Sequence, residues 1–445
     1  MGAGAVVLAL PTPSGLSPAG HRMAALFAVT LLLWVTEAIP IAATSLAALA
    51  LQPLFGVATL QAAFTSSIST VFFFVIAMFC IAQAFTTSGL DRRFAFWLLA
   101  KAGTDSRRVL FAFMAGTAAL STIVSDVPCT ALFMAIALGL FQRIGLRPLE
   151  SNFAKALMMG IPIAAFIGGI GTPAGTPINV LGLSLLEQYG KVTIPFLSWM
   201  AIGIPMVVLL VPVAWWALIH FYPPEMASIS PMEEISGPIE AKEIKVLVLI
   251  GGMLTLWILS TWFKQFDVAL VALLGAIAMF LPGMSLMTWK DVQQGTGWDV
   301  LLMIAGVTSL GAASAQTGLA KWLVDTTLGG LPQHSVVALI ALISIFVVLI
   351  HLVLPIGPVI VAVVVPPIVL LAQAAGVNPA LYALPVIFTA SCAFLLPVDA
   401  VTLVTYSRGY YRMLDMLKPG LIISAAWVVV MTALMAFLGP RLGFF

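Results

Sequence analysis

Two carboxylates stand in stretches of sequence that are otherwise apolar. Asp126 lies in "STIVSDVPCT" (121–130), with hydrophobic segments on both sides. Asp399 follows "FTASCAFLLPV" (388–398) and ends a run, 326–398, that contains no Lys, Arg, Asp or Glu. A charge at membrane depth costs roughly 3 kcal/mol even on lenient insertion scales, so each aspartate implies a partner or a function. Both sit beside chain breaks, at Val127-Pro128 and at Pro397, where irregular backbone lines a cavity. The chemistry this suggests is the binding of a cation or a proton. Asp399 also fits the N-cap of a helix over 400–412, and the two roles are compatible. Between the two aspartates comes "GGIGTPAGTPIN" (168–179), with two Gly-Thr-Pro triplets. Its hydroxyls and unwound carbonyls suit a cation, and the helix N-terminus near Ile178 suits an anion. Thr172, Gly175, Thr176 and Asn179 are the strongest candidates there.

The elements that position these groups are membrane helices. The 445 residues are 62% hydrophobic and 8% charged, with a mean hydropathy of +1.14. A soluble domain carries about 25% charged residues, so the chain is polytopic and all-α. No basic run is present, which removes nucleic acid as a partner. Cys80, Cys129 and Cys392 have no paired spacing and read as buried small residues. The apolar start "GAGAVVLALP" lacks a basic region and is not read as a cleaved signal peptide. The polar stretch 225–243 reads as a loop.

Apolar segments are predicted at 24–38, 40–58, 69–88, 109–124, 127–142, 154–170, 194–219, 244–262, 267–284, 298–318, 335–354, 358–375, 379–397 and 419–439. The pair 109–124 and 127–142 is divided at Ser125–Pro128, and the pair 335–354 and 358–375 at "LPIGP" (354–358). Each reads as a re-entrant hairpin, followed by a broken helix (breaks at 168–179 and 395–405) and a closing span. Such interrupted segments at matching positions in two halves point to a transporter site. Arg92, Arg93, Lys101, Arg107, Arg108, Arg143, Arg147 and Lys155 surround the first hairpin, and no charge surrounds the second. By the positive-inside rule the two hairpins enter from opposite sides, giving inverted repeats. The expected fold is about 11 transmembrane helices plus two hairpins, of elevator type. Residues 1–106 and 221–325 form a scaffold, and 107–220 and 326–445 form the two repeats of a transport domain. Glu37 reads as a boundary residue before Ile39-Pro40. His351 reads as either a satisfied core histidine or a proton site, and Arg408 as either interfacial or substrate-facing.

Three stretches, "LLLWVTEAIPIAATSLAALALQPLFGV" (31–57), "GGIGTPAGTPINVLG" (168–182) and "SCAFLLPV" (391–398), resemble the divalent anion:sodium symporter family. The resemblance covers the chain from about Leu31 onward. It implies a homodimer in the inner or plasma membrane that carries dicarboxylates, citrate or sulfate, coupled to sodium or by exchange. In the family each hairpin tip reads Ser-Asn-Thr and helps bind sodium and substrate. Here the first tip reads Ser125-Asp126-Val127 and the second Ile356-Gly357-Pro358. The second broken loop has Asp399-Ala400-Val401-Thr402 where the family has Ala-Thr-Pro-Pro-Asn. Carried over, the candidate substrate contacts are Ser125, Asp126, Thr172, Thr176, Pro177, Asn179, Gly357, Pro358 and Thr402. The coupling ion, sodium or proton, falls to Ser125, Asp126, Gly171, Gly175, Val398, Asp399 and Thr402. No other metal and no organic cofactor is expected.

Neutral amide and hydroxyl donors are lost, then, and two carboxylates are gained. Ionised together they repel a dianion, so sodium, a proton or a cationic group on the substrate must neutralise them. The expected function is cation-coupled transport of a small organic anion. The alternatives are a cation/proton antiporter and a carrier of a zwitterionic or sulfonate substrate. An intramembrane aspartyl protease needs a Gly-Asp motif, which Ser125-Asp126 and Val398-Asp399 do not supply.

Overall fold

A computed structural model of the chain describes residues 7, 9–36, 38–68, 70–229, 238–263, 265–327 and 335–444. Among these the structure is helical throughout, with one isolated β-bridge between Asp105 and Ser228. Among the described residues seven helices are long and apolar enough to cross a membrane, and Ile41–Leu54, Val268–Ala278, Val336–Ile350 and Ala380–Thr389 are shorter apolar helices. Glu37 lies outside the described residues.

The first hairpin consists of Ser106–Ser121 and Asp126–Ile144. Asp105 caps the first arm by accepting from the Arg108 N–H at 2.9 Å. The second arm ends at Gly145, whose φ of +71° is the left-handed geometry that glycine tolerates best. The break differs from the sequence expectation: it spans 122–125, and Pro128 lies in the first turn of the second arm. There a proline forfeits only an N–H that the helix leaves unpaired, so Pro128 helps begin a helix instead of ending one.

The broken helix after this hairpin is Asn152–Gly169, then Pro177–Gly190. Residues 156–169 are buried on every face, as expected of a helix apolar all round. Both hairpin arms pack on it. Gly168 permits the contact with the first arm, because a Cβ there would overlap the Ala118 backbone. The closing span is Phe196–Phe221.

The same order recurs later in the chain. Val336–Ile350 and Gly357–Ala374 are the second hairpin, and Ala380–Thr389 and Ala400–Tyr406 the second broken helix. Leu417–Leu438 is the second closing span. The second hairpin's arms pack on Ala380–Thr389, just as the first hairpin's pack on Asn152–Gly169. The halves also exchange partners: Pro177–Gly190 lies on Gly357–Ala374, Ala400–Tyr406 lies on Asp126–Ile144, and the two closing spans pack together. Trp199 stacks on Phe388 across this junction, ring centroids 4.1 Å apart.

The second break is longer than the sequence suggests. Helix ends at Thr389, leaving 390–399 irregular, and the helix after it stops at Tyr406. The irregular strand lies against the closing span at Gly420, where a Cβ would overlap the Phe394 carbonyl. Sequence reading also passed over the amphipathic helix Leu90–Ala102, ran Ile41–Leu54 on into the turn beyond it, and began the helix after the 225–243 loop too late. That helix starts at Ala241. The remaining helices include Trp298–Gln316, held to Ile41–Leu54 by Gln52 Nε2 donating to Ser309 Oγ at 2.8 Å.

Candidate functional site

The two tips and the two breaks meet at one cavity of about 510 Å³. Ser125, Asp126 and Pro128 come from the first tip, and Thr176 and Pro177 from the first break. Pro355, Ile356 and Pro358 come from the second tip, and Val398 and Asp399 from the second break. The remaining candidates stand behind this wall. Thr172 donates to the Thr122 carbonyl at 2.6 Å, which ties the first break to the first tip. Asn179 Nδ2 donates to the Gly169 and Thr172 carbonyls at 2.8 and 2.9 Å and so holds the unwound loop in shape. Gly171 packs on the Thr122 side chain, and Gly175 on the Gly169 and Ser121 carbonyls. Gly357 fits between the Ile178 side chain and the Ala390 carbonyl. Thr402 donates back to the Asp399 carbonyl at 2.9 Å.

Asp126 is the first residue of its helix and is 3% exposed. Its Oδ1 accepts from Ser121 Oγ at 2.7 Å, and the Thr176 hydroxyl also reaches the carboxylate. Gly169 makes room for it, since a Cβ there would meet Oδ1. Asp399 is 7% exposed and caps its own helix, accepting from the Val401 N–H at 2.9 Å. The Gly357 N–H, at the second tip, reaches the same carboxylate. The two aspartates are close enough to feel each other's charge.

The far wall is one that sequence reasoning missed. Gln294, Thr296 and Asp299 line the cavity from the corner between Trp289–Gly295 and Trp298–Gln316. In the sequence they belong to "QQGTGWDV", a polar stretch indistinguishable from an ordinary loop. Ser121 was missed as well, because nothing local marks a helical serine as a carboxylate partner. No Lys, Arg or His lines the cavity among the described residues. Arg408 is exposed and away from it, and His351 is buried behind the second tip, its Nε2 3.1 Å from the Ala390 carbonyl.

A family model described as "Sodium:sulfate symporter transmembrane region" matches residues 1–445. The chain belongs to that family. This sodium:sulfate symporter family member is 27% identical over 466 residues to the sodium-dependent dicarboxylate transporter SdcS of Staphylococcus saprophyticus, covering 98% of this chain and 89% of the relative. It is 29% identical over 422 residues to a membrane protein of Cupriavidus necator, covering 89% and 82%. Among solved structures it is similar to the Alcanivorax borkumensis YdaH transporter, with a TM-score of 0.59 and 16% identity over 84% of this chain and 87% of that one. It is also similar to MtrF of Neisseria gonorrhoeae, with a TM-score of 0.56 and 13% identity over 83% and 82%. At these identities the likeness to the solved structures is one of fold. The family is one of membrane transporters, not enzymes.

Proposed function

We propose that this family member is a secondary active transporter of small organic anions, di- or tricarboxylate-like, coupled to sodium or protons. The observation that carries the reading is the convergence of both tips and both breaks on one cavity holding two buried carboxylates. A cation or proton entering at the carboxylates removes the repulsion that an arriving anion would meet. Ser125, Thr176 and the backbone of the tips and breaks then line its seat. Thr172, Asn179, Gly171, Gly175, Gly357 and Thr402 hold that wall in register. The hairpins, broken helices and closing spans (107–220 and 326–445) move as a transport domain against a scaffold (1–106 and 221–325), in the manner of an elevator. Two copies assemble in the inner or plasma membrane.

Uptake of labelled succinate and citrate into proteoliposomes tests the reading, with a sodium or a proton gradient imposed in turn. Gradient-driven accumulation is expected. Dissipation of a pH gradient by cations, without anion uptake, would make the chain a cation/proton antiporter instead. One observation favours a second reading: the cavity presents Asp126, Asp299 and Asp399 and no basic side chain among the described residues. A substrate with its own cationic group, a zwitterionic carboxylate or sulfonate, matches that balance. Competition of succinate uptake by such compounds distinguishes the two.

A further inference from the structure

We propose that the two aspartates have different tasks. Asp126 takes up positive charge in the coupling step, whereas Asp399 stays ionised and latches the second hairpin tip to the second break. The proposal rests on the transport reading above and concerns the charge balance within the same site.

The argument is a count of hydrogens. Ser121 Oγ lies 2.7 Å from Asp126 Oδ1 and 2.8 Å from the Ala165 carbonyl oxygen. A serine hydroxyl carries one hydrogen, and a carbonyl or an ionised carboxylate carries none. With Asp126 ionised, one of the two contacts sets oxygen lone pairs against each other at hydrogen-bond distance. One more positive centre resolves this. A proton on Asp126 donates to Ser121, which donates onward to Ala165. A cation on Asp126 and Ser121 Oγ likewise leaves the serine hydrogen for Ala165. Thr176 is also a hydroxyl partner, able to reverse from donor to ligand. Behind it, Asn179 is fully buried and places Nδ2 on two carbonyls, so its Oδ1 faces away from them and meets no donor. The first repeat is therefore rich in acceptors and short of positive charge.

Asp399 is in the opposite condition. The Val401 N–H of its own helix donates to it at 2.9 Å, and the Gly357 N–H of the second tip lies near enough to act on the same carboxylate. Both belong to first turns, whose amides have no partner within the helix and carry the positive end of the helix dipole. Such donors cannot reverse. They complement an ionised carboxylate, and protonation would weaken both contacts by removing the charge and one acceptor oxygen. Since Gly357 begins the second arm, the Asp399 carboxylate also fixes where that tip sits.

Among the described residues no positive charge near Asp126 replaces the missing one. Asp399 and Asp299 share its cavity, Cys129 lies one turn along its helix, and Asp91 on Leu90–Ala102 stands beyond Cys129. The sides presented by Ser106–Ser121, Asn152–Gly169 and Ala400–Tyr406 contribute Ser121, the Ala165 carbonyl and Asp399.

The test measures the thermal unfolding midpoint of the purified full chain in sodium or choline chloride, from alkaline to mildly acidic pH. A ligand of the folded state stabilises it by mass action. The wild-type midpoint is expected to rise on acidification, on adding sodium, or both, and the salt and pH arms tell proton from sodium. Asp126→Asn should abolish that rise, and Asp399→Asn should keep it. Ser121→Ala, which removes the frustrated contact, should weaken it and serves as the reading if Asp126→Asn does not fold. A rise that survives both Asp126→Asn and Ser121→Ala, or that disappears in Asp399→Asn, overturns the proposal. The latch has its own readout: Asp399→Ala should speed hydrogen exchange at the second tip, around Gly357, and leave the first tip unchanged. Unchanged exchange there refutes the latch. If the midpoints behave as expected while no succinate or citrate is taken up, the division of tasks stands and the anion-transport reading falls.

Discussion

The two repeats place one carboxylate each, but at opposite members of the same contact. In the first, the tip helix begins with Asp126 and the break helix is preceded by Thr176. In the second, the tip helix begins with Gly357 and the break helix is capped by Asp399. Tip and break thus meet twice through an acid and a donor, with the roles exchanged. The exchange has an energetic consequence. A hydroxyl adapts to an ion that comes and goes, whereas a backbone amide can only donate and so is committed to an acceptor. The repeats also differ in their surroundings, since charges ring the first hairpin and are absent from 326 to 398.

The most damaging way to break this comparison is Gly169→Ala. The new methyl would occupy the space of the Asp126 carboxylate, in a helix segment buried on all faces. Overpacking of this kind costs about 1–3 kcal/mol and displaces the acid. Loss of most uptake activity is expected, together with a lower unfolding midpoint. In the second repeat Thr389 ends the matching helix and its hydroxyl accepts from Trp427 Nε1 at 3.2 Å, so Thr389→Ala removes that contact without displacing an acid and should leave uptake much nearer to wild type. Equal losses from the two would remove the asymmetry.

Next in size is Asn179→Leu. It strips donors from two buried carbonyls, Gly169 and Thr172, at about 1–3 kcal/mol for each acceptor left unpaired. His351 reaches a single carbonyl of the second break, Ala390, so His351→Leu should cost about half as much. Denaturant or thermal midpoints in detergent measure both.

How much of this was legible in the sequence depends on range. The doubled order of hairpin, broken helix and span could be read because proline, glycine and isolated charges are local signals. Asp126 and Asp399 were conspicuous for the same reason, as single acids in apolar runs. The length of the second break was not legible. Residues 390–396 are apolar enough for a helix, and their irregular path depends on packing against Gly420 far along the chain. Ser121 and Asp299 were hidden likewise, since one is an ordinary helical serine and the other an ordinary first-turn acid until the fold sets the first against Asp126 and the second on the cavity wall. Pro128 was misjudged because a proline's effect depends on whether it stands within a helix or in its first turn, a matter of two residues.

A finer test compares Asp399→Asn with Asp399→Ala. Asparagine caps a helix about as well as aspartate, so the first change removes charge and keeps the acceptor for Val401. Alanine removes both, and should be less stable than the asparagine variant by about 1 kcal/mol. If the two variants unfold together, the cap contributes nothing and the acid serves the cavity alone.

The smallest expected effect lies outside both repeats, at the charged edge beside the first hairpin. Arg93, on the helix before the first hairpin, pairs with Glu243 at 2.7 Å, and Glu243 also accepts from the Glu240 N–H at 2.7 Å. The Arg93 hydrogen bond, followed by that backbone bond, holds the Glu243 carboxyl below its ordinary range. A lowered folded-state pKa stabilises the fold above the ordinary glutamate value, and the gain is lost as the pH falls through the lowered one. Glu243→Gln should therefore lower the midpoint at neutral pH, by about 1 kcal/mol for a buried carboxylate whose arginine partner is still partly exposed. The difference from wild type should vanish in strong acid. Uptake and the pH and sodium response of the Asp126 site should not change, because Glu243 is absent from the cavity wall. A shift in either would mean that the charged edge and the first tip are coupled, and that the contrast between the repeats extends beyond their two aspartates.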